Sequence, residues 1–139
     1  METVPRGTSL DPWYVTGFVD AAGSFTFSRS GRSVVLYFAL KLTAQDQSVL
    51  EALRSYFGEI GTVYPLHGGA SAYLRVCRLE QLERVVAHFE AYPLRGAKQA
   101  AFMIWSEMVR LKRSGFRKLP SERMGLLAAR LSASSQRNA

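Results

Sequence analysis

The sequence predicts an α+β domain in which helices alternate with antiparallel hairpins, in the order α-β-β-α-β-β-α with two further helices behind. Three observations carry this expectation. The apolar pattern switches twice from helical spacing to two-residue alternation, once near Gly23 and again near Gly61. Each alternating stretch is divided by turn residues: Ser30-Gly31-Arg32-Ser33 in the first, His67-Gly68-Gly69-Ala70 in the second. A chain of 139 residues with 47% apolar composition is one domain's worth and can bury its own core.

Residues 1–10 lack periodicity and read as an arm. Asp11-Pro12 starts the first helix: Asp caps free N–H groups, and Pro suits the first helical position. Trp13, Tyr14, Val15, Gly17, Phe18 and Val19 make this helix apolar nearly all round, so it should be covered on several sides. After Gly23, Phe25 and Phe27 alternate with Ser24, Thr26 and Ser28. In the partner strand, Val34 to about Thr43, Leu36, Phe38, Leu40 and Leu42 share one face, with Val35, Tyr37, Ala39 and Lys41 on the other. Asp46 is expected to cap a helix carrying Val49, Leu50, Leu53 and Phe57, ended by Gly58. A second strand pair spans Gly61–Leu66 and Ser71–Arg78. Helices follow from about Leu79 to Tyr92, from Ala97 to Leu111 and from Ser121 to Leu131, making a domain of 11–132 with a frayed tail at 133–139.

Charge points to the partner. Eighteen Lys+Arg against eleven Asp+Glu give a net charge of +7, and residues 71–139 carry thirteen of those cations against five acids. No carboxylate lies between Asp20 and Asp46, or between Glu59 and Glu80, the two stretches that form the hairpins. Their open face instead offers Ser24, Thr26, Ser28, Arg29, Arg32, Tyr37, Lys41, Tyr64, His67, Tyr73 and Arg75. Cations meet phosphates, while hydroxyls and guanidinium groups meet base edges, so this face suits nucleic acid. The densest basic run, Arg110, Lys112, Arg113, Arg117 and Lys118, is expected on a nucleic-acid backbone. The single cysteine, Cys77, excludes an intrachain disulfide, and neither it nor His67 and His88 has metal-ligand spacing. No apolar run approaches the roughly 20 residues of a bilayer span and no export signal is visible, so an intracellular protein is expected.

Within Val15-Thr16-Gly17-Phe18-Val19-Asp20-Ala21-Ala22-Gly23, Gly17 and Ala21 stand four apart on one side of the helix with little side chain between them. Two such helices can approach with their backbones almost touching. This segment resembles the motif of the LAGLIDADG homing endonucleases, and the likeness extends over about residues 12–112. It includes Thr43-Ala44-Gln45-Asp46, Phe57-Gly58-Glu59-Ile60-Gly61, Tyr73-Leu74-Arg75-Val76 and Tyr92-Pro93-Leu94-Arg95-Gly96-Ala97-Lys98. The resemblance implies that motif helices of two domains pack together, that two sheets form a saddle over double-stranded DNA, and that Mg²⁺ held by motif acids cuts both strands. A single motif implies a homodimer on a near-palindromic site.

The carry-over of functional residues is uneven. Gly17, Asp20, Ala21 and Gly23 match structural positions of the motif, Gln45 a polar residue bordering the active site, and Lys98 a basic residue within it. The metal-binding acid, assisted by the backbone at Ala21, falls on Ala22, whose methyl group holds no cation. An engineered substitution, natural loss of cleavage, and takeover by Asp20 are the available explanations. A two-residue offset turns a helical side chain by about 200°, which disfavours Asp20. A chain that binds DNA without cutting it is therefore expected, with a non-enzymatic regulator or an RNA maturase as rival readings.

Overall fold

The computed structural model describes residues 10–31, 33–114 and 121–137. Helix α1 (Pro12–Ala22) begins as its sequence dictates: the Asp11 carboxylate accepts hydrogen bonds from the N–H groups of Trp13 and Tyr14. Strands β1 (Gly23–Ser30) and β2 (Ser33–Thr43) form the first hairpin. A short 3₁₀ turn (Ala44–Asp46) leads into α2 (Gln47–Tyr56), and β3 (Thr62–Leu66) and β4 (Ser71–Val76) form the second hairpin. Helices α3 (Leu79–Ala91), α4 (Lys98–Arg113) and α5 (Ser121–Arg137) complete the order. The predicted α+β succession is thus realised.

The two hairpins merge into one antiparallel sheet of order β1-β2-β4-β3. The joining pair is β2 with β4, where Phe38 faces Val76 and Leu40 faces Leu74. Strand alternation sends Phe25, Leu36, Phe38, Leu40, Leu74 and Val76 to one side, where all are buried under the helices. Phe25 is the hub of this layer. Its ring lies 5.2–5.5 Å from those of Phe38, Phe89, Phe102 and Trp105, drawing β1, β2, α3 and α4 together. Trp105 is fully buried, and its indole N–H donates to the Thr26 carbonyl at 3.0 Å, which fixes α4 along β1. Burying each such side chain contributes about 1.5–3 kcal/mol.

Several local expectations are corrected. Asp46 occupies the position before α2 but makes no capping bond; its carboxylate instead accepts from Thr43 Oγ1 at 3.5 Å. The 3₁₀ turn continues into the helix there, leaving the Asp46 backbone out of the extended form a cap requires. Gly58, by contrast, ends α2 as expected, with a left-handed φ of 99°. Helix α5 runs to Arg137 rather than stopping near Leu131, and Ser134 is buried. Residues 138–139 of the expected tail lie outside the described residues. The N-terminal arm at 1–9 lies outside the described residues.

Candidate nucleic-acid interface

The register defines the second face of the sheet. Ser24, Ala39, Arg75 and Thr62 lie in one row across the four strands, and Lys41, Tyr73 and Tyr64 lie in the next. Thr26 pairs with Tyr37, Ser28 with Val35, Thr43 with Ser71, and Ser71 with Leu66. This face holds no carboxylate, and apart from Ala39 its side chains are exposed or half-buried. Ser24, Thr26, Ser28, Tyr37, Lys41, Tyr64, Tyr73 and Arg75 all fall on it. Arg29 does not: it shares the parity of Phe25 and Phe27, and its guanidinium lies 5.5 Å from the Phe27 ring. His67 projects from the turn between β3 and β4, exposed and with a left-handed φ of 54°. Arg32 lies outside the described residues.

An open groove of about 560 Å³ runs along this face to the end of α1, lined by Ala22, Ser24, Thr26, Tyr37, Lys41 and Tyr73. Leu66 also lines it, a residue the sequence reading did not single out. The phenol of Tyr73 titrates above its ordinary range, chiefly through burial and secondarily through Tyr37 and Tyr64, against an opposing pull from Arg75. It therefore stays a hydroxyl donor at neutral pH.

At the groove's inner end, the last turn of α1 is clamped from below. The Asp20 carboxylate accepts from the backbone N–H groups of Arg95, at 2.8 Å, and Gly96, at 3.1 Å. A Cβ on Gly96 would stand 2.9 Å from Asp20 Oδ1, so the approach depends on glycine. Lys98 Nζ donates to the Asp20 carbonyl at 3.0 Å, placing a cation at the negative end of α1. Ala22, Asp20 and Lys98 are thus brought together, with Asp20 engaged as a structural acid. Gln45 is exposed on the 3₁₀ turn after β2 and makes no side-chain hydrogen bond among the described residues. No set of three metal-capable side chains exists among the described residues.

A polar relay that sequence reasoning missed holds α1 from its buried side. Thr16 Oγ1 donates to the Tyr92 carbonyl at 2.8 Å and so accepts from His88 Nε2 at 3.0 Å. His88 Nδ1 then accepts the hydroxyl of Tyr56 at 3.0 Å, linking α1, α3 and α2. Burial lowers the His88 pKa to about 4, so the ring is neutral at physiological pH. His88 is thus buried and bonded through both ring nitrogens.

The outer side of α1 is uncovered. Trp13 is 53% and Tyr14 48% exposed, and Gly17 and Ala21 are also open. Only Val15, Thr16 and Val19 are buried on this helix, so this chain supplies one of the several covered sides its composition called for. Nothing lies within 4 Å of a Cβ placed on Gly17, so no neighbour in the described chain requires glycine there. The basic run at the end of α4 is partly occupied elsewhere: Arg110 pairs with Glu90 at 3.1 Å and Arg113 with Glu83 at 2.8 Å, both acids of α3. Those two cations face the helical layer; Arg117 and Lys118 lie outside the described residues.

A helix ending at Gly23, an antiparallel sheet with an acid-free face, and helices packed on the other side make up an α+β domain with one open, basic sheet face. The LAGLIDADG endonuclease family model matches residues 15–109, and the chain belongs to that family. It is 34% identical over 111 residues to an uncharacterized 50.9 kDa protein in ND4 intron 1 of Podospora anserina, covering 73% of this chain and 24% of that one. The chain thus spans about a quarter of that relative's length. Its fold matches the LAGLIDADG meganuclease I-AabMI bound to uncleaved DNA, with a TM-score of 0.78 and 27% identity, over 86% of this chain and 44% of that one. It also matches the homing endonuclease I-TnaI, with a TM-score of 0.77 and 28% identity, over 94% of this chain and 99% of that one. Among the described residues, no helix is long and apolar enough to cross a membrane.

Proposed function

We propose that this chain is a site-specific binder of double-stranded DNA, built on a homing-endonuclease scaffold whose phosphodiester cleavage is lost at Ala22. The observation that carries the reading is the acid-free sheet face running to the end of α1, where Ala22 stands at the position of the carboxylate that the family motif implies. Lys41, Arg75 and the tyrosine and serine hydroxyls supply cations for phosphates and donors for base edges.

The residues at the end of α1 do not fit the divalent cation that family chemistry implies. Ala22 offers a methyl group, and the Asp20 carboxylate is already accepting from the Arg95 and Gly96 N–H groups. In a two-fold assembly both copies would lack the acid. Bound DNA is therefore held intact. Association through the outer side of α1 is supported by the exposed Trp13 and Tyr14 and by the vacant space over Gly17. Such a homodimer reads a near-palindromic duplex because the protein's symmetry is mirrored in its site. Ala22 also favours a second reading, a regulator that uses this same binding and never cleaves.

The test is selection of bound duplexes from a random pool at moderate salt, followed by sequencing. A long, near-palindromic consensus is expected. Recovery of sequence-blind, salt-sensitive binding alone would overturn the reading, and preferential retention of folded RNA would replace it with an RNA role.

A further inference from the structure

The structure assigns Arg75 as a guanine reader on the floor of the DNA-facing sheet, a role that rests on the duplex-binding function proposed above. Arg75 lies on β4, an interior strand between β2 and β3. Its guanidinium carbon stands 4.0 Å from the centroid of the Tyr37 ring. That stacking fixes the plane of the group, which a simple phosphate contact does not require. Its row-mates are small: Ala39 opposite on β2, Thr62 opposite on β3 and Ser24 beyond Ala39 on β1. The row is therefore low, and along it an incoming base edge meets only small side chains, with the Tyr37 ring backing the guanidinium. No ion pair or side-chain hydrogen bond engages Arg75 among the described residues, and this face carries no carboxylate. An oriented, unpaired fork of N–H donors matches the paired O6 and N7 acceptors of guanine in the major groove.

The two-fold assembly proposed above would place one such arginine on each half-site. The expected signature is a guanine at one position per half-site, preferred by about fivefold to 150-fold over other bases. The experiment measures binding of the full chain to single-base variants of the duplex site it selects, for the unaltered protein, Arg75→Gln, Tyr37→Leu and Tyr37→Phe. Arg75→Gln should erase the guanine preference at that position while leaving the ranking at every other position unchanged. Tyr37→Leu, which frees the guanidinium without removing it, should weaken the same preference more than Tyr37→Phe, which keeps the ring under the guanidinium and loses only the hydroxyl.

If Arg75→Gln lowers affinity equally for every variant and flattens the salt dependence by about one unit of slope, Arg75 contacts phosphate and the assignment is wrong. Unchanged binding across all variants would also overturn it. Failure of the unaltered chain to select any site overturns the duplex-reading function itself, an outcome distinct from either.

Discussion

His88 should make this protein acid-labile over a defined window. Its ring accepts from Tyr56 and donates to Thr16, a geometry available only to the neutral imidazole with its proton on Nε2. Folding lowers its pKa from 6.5 to about 4 through burial, so the unfolded chain binds the proton more readily than the folded one. The sign follows: the contribution is complete above about pH 6.5 and is lost as pH falls towards about 4. At about 1.4 kcal/mol per pH unit, the full loss is about 3 kcal/mol, of which about 2 kcal/mol has gone by about pH 5. Urea denaturation followed by circular dichroism, at neutral pH and at about pH 5, measures it. The variant His88→Gln keeps a polar side chain and removes this titration, so carboxylates common to both proteins cancel in the comparison. The unaltered chain should lose about 2 kcal/mol more than the variant between those conditions. Equal losses in the two proteins would refute the relay as described.

Two further predictions bear on the core and on the outer side of α1. Trp105→Ala should cost about 3–5 kcal/mol, because it empties the contact with Phe25 and orphans the Thr26 carbonyl, and thermal or urea unfolding checks it. Gly17→Leu should leave the fold of one chain intact, since nothing occupies the space above Gly17, and should gain part of the roughly 1 kcal/mol that separates glycine from good helix formers. The same change should abolish self-association in sedimentation experiments, whereas an unchanged oligomeric state would show that α1 is not where the copies meet.

What was legible in the sequence follows the range of the interactions involved. The start of α1 at Asp11 and the end of α2 at Gly58 are set within a few residues and were readable directly. Strand alternation likewise gave the buried faces of β1 and β2. The same alternation places Arg29 with Phe27, but composition pulled it into the basic set; period should have outweighed charge there. The pairing of β2 with β4 is non-local and left no turn signal. The His88 relay was illegible for the same reason, its partners Thr16 and Tyr56 being 72 and 32 residues away in the chain. The continuation of α5 past Leu131 was not legible because burial of Ser134 depends on tertiary packing. At the site, Ala22 and Lys98 were found through the motif resemblance. Gly96, whose missing side chain lets the loop clamp Asp20, carried no periodic or charge signal.

Under the proposed function, one carboxylate at the end of α1 separates this scaffold from DNA cleavage. Ala22→Glu restores a carboxylate beside Lys98 and at the inner end of the groove. Incubated with the duplex that the unaltered chain selects, the variant should cut both strands within the site when Mg²⁺ is added and leave it intact in excess chelator. The unaltered chain should bind the same duplex and cut it under neither condition. Binding without cleavage by a folded Ala22→Glu protein would contradict the account and leave the chain a DNA-binding protein on a scaffold altered at more than one point.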